Sequence, residues 1–362
     1  MRAILLGGGL ALLISLLGTR VAIAQFTRLG YGQEIREDGP TTHLSKRGTP
    51  TMGGVVIVLA TVIAYFAARL ATGIGPSASA LLLLFLFVGT ALVGFLDDFI
   101  KIFRQRNLGL RSRAKFIGQT LVAVVFGVLA LWDRLADDRG RDPASHNISF
   151  LRDWGWTLPS VVVVIIIWFL VTGFSNAVNL TDGLDGLATG ASGLVFAAYT
   201  IVAIWQSNQS CGRVNTADSK CYLVRDPLDL AVIAACITGA CIGFLWWNAS
   251  PARIFMGDTG SLALGAALAG FAVLSRTELL LVVLGGLFVL ETLSVMLQVG
   301  FFKVSRMRGG SGRRLFKMAP IHHHFEMLGW EQVTVVIRFW IITGLCVAVG
   351  VGIFYGEWVT GS

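Results

Sequence analysis

Apolar residues in this chain come in long blocks, without the alternation of strands or the single stripe of a surface helix. The blocks run approximately over 3–26, 52–71, 78–100, 115–132, 157–174, 186–206, 228–247, 260–275, 279–304 and 333–355. A hydrocarbon layer about 30 Å thick takes about 20 apolar residues wound as a helix. The pattern therefore predicts an all-α polytopic membrane protein of ten transmembrane helices, forming a single unit over 1–362. Two blocks depart from the rest. The eighth, 260–275, is short and rich in Ala and Gly. The ninth, 279–304, is long, contains Glu291 and Gln298, and is interrupted by Gly285-Gly286, where a bend is expected.

Composition strengthens this picture. Of 362 residues, 55% are hydrophobic and 14% charged, against about 25% charged in a soluble domain. Such a chain cannot make an ordinary water-facing surface. The 43 glycines lie scattered through apolar stretches with only eight prolines, which suits helices packed closely in lipid rather than a low-complexity coil. At the N-terminus, Met1-Arg2, an apolar stretch and Ala22-Ile23-Ala24 imitate a cleavable secretion signal. The basic loop that follows favours a retained first helix instead.

A net charge of +8 would suggest nucleic acid in a soluble protein, but here the Lys and Arg sit in short loops and no compact basic domain exists. They orient the chain. Loops 1–2, 3–4, 5–6, 7–8 and 9–10 together hold seventeen basic residues and the opposite loops eight. By the positive-inside rule the first set is cytoplasmic and both termini lie outside. The outer 4–5 loop also balances its arginines with Asp133, Asp137, Asp138, Asp142 and Asp153. Cys211 and Cys221 fall in the outer 6–7 loop, where a disulfide or two free thiols are both open. Cys236, Cys241 and Cys346 fall inside helices as small packing residues.

With that topology the clustered carboxylates gather on one rim. Charge at membrane depth is expensive and therefore tends to be functional. Asp97-Asp98-Phe-Ile-Lys101 sets a lysine three and four residues beyond two adjacent acids that repel unless a proton or metal shares them. In Asn176-Ala-Val-Asn179-Leu-Thr-Asp182-Gly-Leu-Asp185-Gly186 polar oxygens recur every third residue, along one side if the stretch is helical. Oxygen donors without thiolates suit Mg²⁺, and a capped, Gly-punctuated loop is the plainer reading. Asn248, Arg253 and Phe255-Met-Gly-Asp258-Thr-Gly-Ser261 lead into the eighth helix, with Asp258 at the expected N-cap position. The last loop carries Lys317 and His322-His323-His324-Phe-Glu326 behind Arg313 and Arg314. Consecutive histidines cannot all aim at one ion, so a sugar-phosphate or polyphosphate grip is favoured over zinc. Glu291 is read as a neutral carboxyl hydrogen-bonded between helices, with a proton relay as the alternative.

Several strings in this chain are similar to those of the phospho-N-acetylmuramoyl-pentapeptide-transferase family, within the polyprenyl-phosphate sugar-1-phosphate transferase superfamily. They are Gly48-Thr-Pro-Thr-Met-Gly-Gly54, Asp97-Asp98 with Lys101, Asn176 to Gly186, Asn248 through Asp258, and Pro320-Ile-His-His-His-Phe-Glu326. The resemblance implies ten helices with external termini in a bacterial cytoplasmic membrane, a homodimer, and a Mg²⁺-dependent exchange. In it, UDP-N-acetylmuramoyl-pentapeptide gives its phospho-sugar to undecaprenyl phosphate, forming lipid I and UMP. It further implies Asp258 as the principal Mg²⁺ ligand with Asp97 or Asp98 close by, one of that pair serving as base. Lys46, Asn179, Asp182, Asp185 and Asn248 would line the uridine and pyrophosphate region, assisted by Lys101 and Lys115. His322, His323 and His324 would hold the phospho-sugar side. Arg47 follows Lys46, so either is a candidate cation. A relative using UDP-N-acetylglucosamine would share the Asp motifs and lack the His-rich loop. An ion-coupled transporter would place ionisable groups near the midplane, where Glu291 stands almost alone. A CDP-alcohol phosphotransferase is set aside because Thr189 follows Asp185-Gly-Leu-Ala188.

Overall fold

Each apolar block becomes a helix, and what the helices bury depends on where their small residues fall. The computed structural model describes residues 1–30, 32, 48–104, 109–211, 221–308 and 312–360. Its helices are α1 (Arg2–Arg28), α2 (Gly54–Thr72), α3 (Ala78–Phe103), α4 (Ser112–Ala130), α5 (Ser160–Thr181), α6 (Leu187–Asn208), α7 (Pro227–Asn248), α8 (Gly257–Leu274), α9 (Glu278–Leu284), α10 (Gly286–Met307), α11 (Ile321–Glu326) and α12 (Gln332–Thr360). Ten of these are long and apolar enough to cross a membrane. Among the described residues the only β pairing is three isolated bridges. The ninth block breaks at Gly285, the bend its paired glycines predicted, giving α9 and α10.

The eighth block looked weakest in sequence because it is the centre of the bundle. Every residue of α8 from Thr259 to Leu274 is buried, with α3 and α5 packed along it and α2 alongside. A helix enclosed by protein on all sides is selected for close approach, so Ala and Gly replace the Leu and Ile that lipid would demand. The approach to α2 is the tightest: a Cβ on Gly54 would overlap the main chain of Gly260. Beside that crossing, the Phe255 amide donates to the Pro50 carbonyl at 2.8 Å, and the Gly53 and Gly54 amides donate to the Phe255 and Met256 carbonyls at 2.9 and 2.8 Å. The Thr-Pro-Thr-Met-Gly-Gly string is thus a backbone clasp between the start of α2 and the start of α8.

At the far end of the bundle, buried charges are paired. Arg69 meets Asp229 at 3.3 Å, and the Tyr65 hydroxyl donates to the same carboxylate at 3.0 Å. In the 133–159 connection Arg141 pairs with Asp137 at 2.6 Å, while Asp153 takes Arg276 from the turn after α8 at 2.8 Å and Arg152 reaches Glu357 of α12 at 2.5 Å. Cys211 and Cys221 form a disulfide. Cys236 and Cys241 are buried and Cys346 half-buried, all as free thiols.

Candidate active site

The ends of seven helices meet at the opposite pole: the starts of α2, α4, α6 and α8 and the finishes of α3, α5 and α7. Asp97 and Asp98 lie in the last turns of α3, and Asp258 in the first turn of α8. Carboxylate oxygens of the three lie within 4.8 Å of one another. Lys101 reaches into this triangle, with Nζ 2.6 Å from Asp97, 2.8 Å from Asp258 and 3.8 Å from Asp98. Lys115, one turn into α4, places its Nζ 2.8 Å from the same Asp258 oxygen. Two ammonium groups among three carboxylates leave net negative charge, and the donors are all hard oxygens. That set suits Mg²⁺.

The two adjacent aspartates do different work. Asp98 accepts hydrogen bonds from the amides of Asp258 and Thr259 at 3.1 and 2.9 Å and from the Thr259 hydroxyl at 2.7 Å. It therefore caps α8 from another helix, satisfying donors that a helix start leaves orphaned. This corrects the expectation that Asp258 is the N-cap: the N-cap residue is Met256 and Asp258 stands inside the first turn. Gly257, at φ +74°, makes the entry turn, where a Cβ would lie 2.6 Å from an Asp98 oxygen. Asp97 instead accepts from the Leu110 amide at 2.8 Å and faces Lys101.

The Asn176 to Gly186 stretch does not present one polar edge. Helix α5 continues to Thr181, seven residues beyond the apolar block, and Asp182 is its C-cap. Asn176 turns to Gln119 and to the Thr172 carbonyl. Asn179 donates to Asp258 at 2.7 Å and to the Ser261 hydroxyl at 2.8 Å. Asp185 accepts from the Ala252 amide at 3.2 Å. Desolvation, then the negative charges of Asp258, Asp98 and Asp185, push the Asp182 carboxyl well above the usual carboxylate range. Asn248 uses both ends of its amide internally, accepting from Thr189 at 2.9 Å and donating to the Ile254 carbonyl at 2.9 Å. It ties the 249–256 connection down. Lys46 and Arg47 lie outside the described residues.

The last loop contains α11, which brings two of the three histidines to the site. A Cβ on Gly183, next to Asp182, would meet the imidazoles of both His322 and His323. His322 is fully buried and His323 half-buried. His324 accepts a hydrogen bond from the Lys317 amide at 3.1 Å. Sequence reasoning placed Thr259, Ser261 and Glu326 within its motifs but gave them no role. Glu326 was findable, since it lies three residues beyond His323 on a short helix, and its carboxylate is 2.7 Å from the His323 ring. Alongside α11, an apolar groove of about 380 Å³ is lined by Val289, Leu290, Leu293, Leu297, Phe316 and Ile321.

The sequence has counterparts among known proteins. Residues 80–276 match the model described as glycosyl transferase family 4, and residues 46–58 match phospho-N-acetylmuramoyl-pentapeptide-transferase signature 1. The chain is 73% identical to the phospho-N-acetylmuramoyl-pentapeptide-transferase of a Nocardioides species over 363 aligned positions, covering all of both chains. It is 58% identical to that of Cutibacterium acnes over the full length of both, and 56% identical to that of Streptomyces coelicolor over 99% of each.

Proposed function

Because the chain belongs to the phospho-N-acetylmuramoyl-pentapeptide-transferase family, we propose that it transfers phospho-N-acetylmuramoyl-pentapeptide from its UDP carrier to undecaprenyl phosphate. The products are lipid I and UMP. An oxygen of the lipid phosphate attacks the sugar-linked phosphorus, and the bond to UMP breaks as UMP leaves with the bridging oxygen. Such a reaction brings anions together, so catalysis is mainly positioning and charge neutralisation. The observation that carries this reading is the triangle of Asp97, Asp98 and Asp258 with Lys101 and Lys115 threaded through it.

Asp258 would be the principal Mg²⁺ ligand, with Asp97 and Asp98 as its neighbours, and the ion would supply further neutralisation of the pyrophosphate. Lys101 and Lys115 turn from the carboxylates to the incoming phosphates. Asp98, engaged by three donors of α8, keeps that helix start in place. Asp97 takes the proton from lipid phosphate that still carries one; with a second pKa near 6, little is present at neutral pH. Asn179 orients Asp258, while Asp182, Asp185, Asn248 and Lys46 shape the nucleotide side. The histidines face the phospho-sugar, and the groove along α10 and α11 takes the first isoprenes of the lipid.

The protein forms a single unit, a homodimer in the bacterial cytoplasmic membrane, with both termini outside and the Asp cluster facing the cytoplasm. The disulfide loop of Cys211 and Cys221 tests that orientation: an impermeant reductant and an impermeant maleimide added to intact cells label it only if it is external. For the reaction, UMP release by the purified protein is followed with Mg²⁺, undecaprenyl phosphate and either UDP-N-acetylmuramoyl-pentapeptide or UDP-N-acetylglucosamine. Release from the muramoyl donor is expected, and release from the glucosamine donor alone rejects the assignment.

A further inference from the structure

Two carboxylates stand behind the histidines with no role in the reading above. Glu291, on α10, is fully buried, and its Oε1 lies 3.1 Å from Nδ1 of the equally buried His322, an ion-pair contact without hydrogen-bond alignment. Glu326, at the end of α11, places Oε2 2.7 Å from Nδ1 of His323. The two imidazoles pack against each other with centroids 4.2 Å apart. Both turn their opposite edges to the same place: a Cβ on Gly183 would sit 3.2 Å from His323 Nε2 and against His322 Nε2 and Cε1. Each ring therefore has a carboxylate on Nδ1 and the Asp182-Gly183 turn on Nε2.

A buried carboxylate in a membrane helix is costly where an apolar residue would pack as well, so Glu291 calls for a function. An imidazole takes the tautomer and orientation that its hydrogen-bonded nitrogen dictates. A carboxylate on Nδ1 keeps the proton there and aims Nε2 away, as second-layer carboxylates do for metal-binding histidines. His322, wholly enclosed, supports the turn and its neighbour. His323, partly open, is the ring that a ligand can reach.

We propose that Glu291 and Glu326 are positioning residues. Glu326 holds Nδ1 of His323 by a hydrogen bond and Glu291 stands against Nδ1 of His322 as an ion-pair neighbour, so that the stacked pair presents Nε2 to the Asp182-Gly183 turn and holds His323 ready for the donor's sugar-phosphate. The last step rests on the transferase reading; the arrangement of the two pairs does not.

The chain has only five histidines, so ¹⁵N-imidazole NMR of the full-length protein in nanodiscs resolves them, with His322→Asn and His323→Asn identifying two signals. His323 is expected to carry a proton on Nδ1. Glu326→Leu is expected to return it to the ordinary Nε2-protonated tautomer, while Glu326→Gln, which keeps an acceptor oxygen, holds it in part; Glu291→Leu is expected to shift the His322 signals. In steady-state kinetics Glu326→Leu raises the KM for UDP-N-acetylmuramoyl-pentapeptide about tenfold, the scale of one lost charge-assisted hydrogen bond. The KM for undecaprenyl phosphate stays unchanged and Glu326→Gln falls between. A bare His323 Nδ1 in the wild-type spectrum, or KM values that rise together for both substrates, overturns the proposal. If Glu291→Leu does not fold, the wild-type spectrum and the Glu326 variants still decide. Failure of the donor assignment shows separately, as no turnover by the wild type with an unaltered spectrum.

Discussion

Replacing Asp98 with alanine strips three donors at the start of α8 of their acceptor: the Asp258 amide, the Thr259 amide and the Thr259 hydroxyl. Loss of an N-terminal cap costs about 1 kcal/mol, loss of a negative charge at that helix end up to about 1 more, and a buried unpaired hydroxyl at least about 1. The total is about 3 kcal/mol. With an unfolding entropy of about 2.1 cal/mol/K per residue over 362 residues, Tm falls by about 4 °C. Asp98→Asn is the control, since it keeps one acceptor oxygen for the donors of α8, and its stability is expected to fall by less. Both variants lose UMP release. The assay is a thermal melt in detergent with a thiol-reactive dye, which reports unfolding as the buried Cys236 and Cys241 become accessible. If Asp98→Ala melts with the wild type, or Asp98→Asn melts as low as Asp98→Ala, then Asp98 is not the cap of α8.

Three other substitutions probe the same region. Gly54→Ala forces a methyl into the Gly260 main chain and is expected to destabilise by about 1–3 kcal/mol; a wild-type melting curve would contradict the close approach of α2 and α8. Lys115→Met removes an ammonium 2.8 Å from Asp258 and is expected to lower kcat for UMP release about a hundredfold, as loss of one charge-stabilising donor does; an unchanged kcat removes Lys115 from the reacting centre. Asp182 provides a pH test. Its carboxyl is raised in the folded state, so the native chain holds that proton more tightly than the unfolded one. The stability linked to it is fully present below the ordinary carboxylate pKa, about 3.9, and is lost as pH rises through the raised value. Asp182→Asn, always neutral, should therefore melt above the wild type at about pH 8 and alongside it at about pH 4, and a constant difference between the two curves across that range counts against the linkage.

Hydropathy made the helices legible because lipid-facing and core residues are both apolar in a membrane bundle, and it failed where polar side chains find partners inside. The last turns of α5 carry Asn176 and Asn179, which a hydropathy scan reads as loop. The chain stays helical there because Gln119 and Asp258 receive those amides. Helix α11 is six residues long, too short for any periodicity to register. The carboxylates of the site could be picked out by type, but not by role, because role depends on which neighbour arrives from far along the chain. Asp97 and Asp98 show why. Adjacent in sequence, they point about 100° apart around a helix of 3.6 residues per turn, so one meets the start of α8 and the other meets Leu110 and Lys101. Their pairing holds as well, since with Asp258 their carboxylate oxygens still come within 4.8 Å of one another. What joins them is Lys101, three and four residues on, whose single ammonium lies near both and reaches Asp258 as well. The spacing of three and four residues is the geometry by which one lysine bridges two helices at the carboxylate cluster.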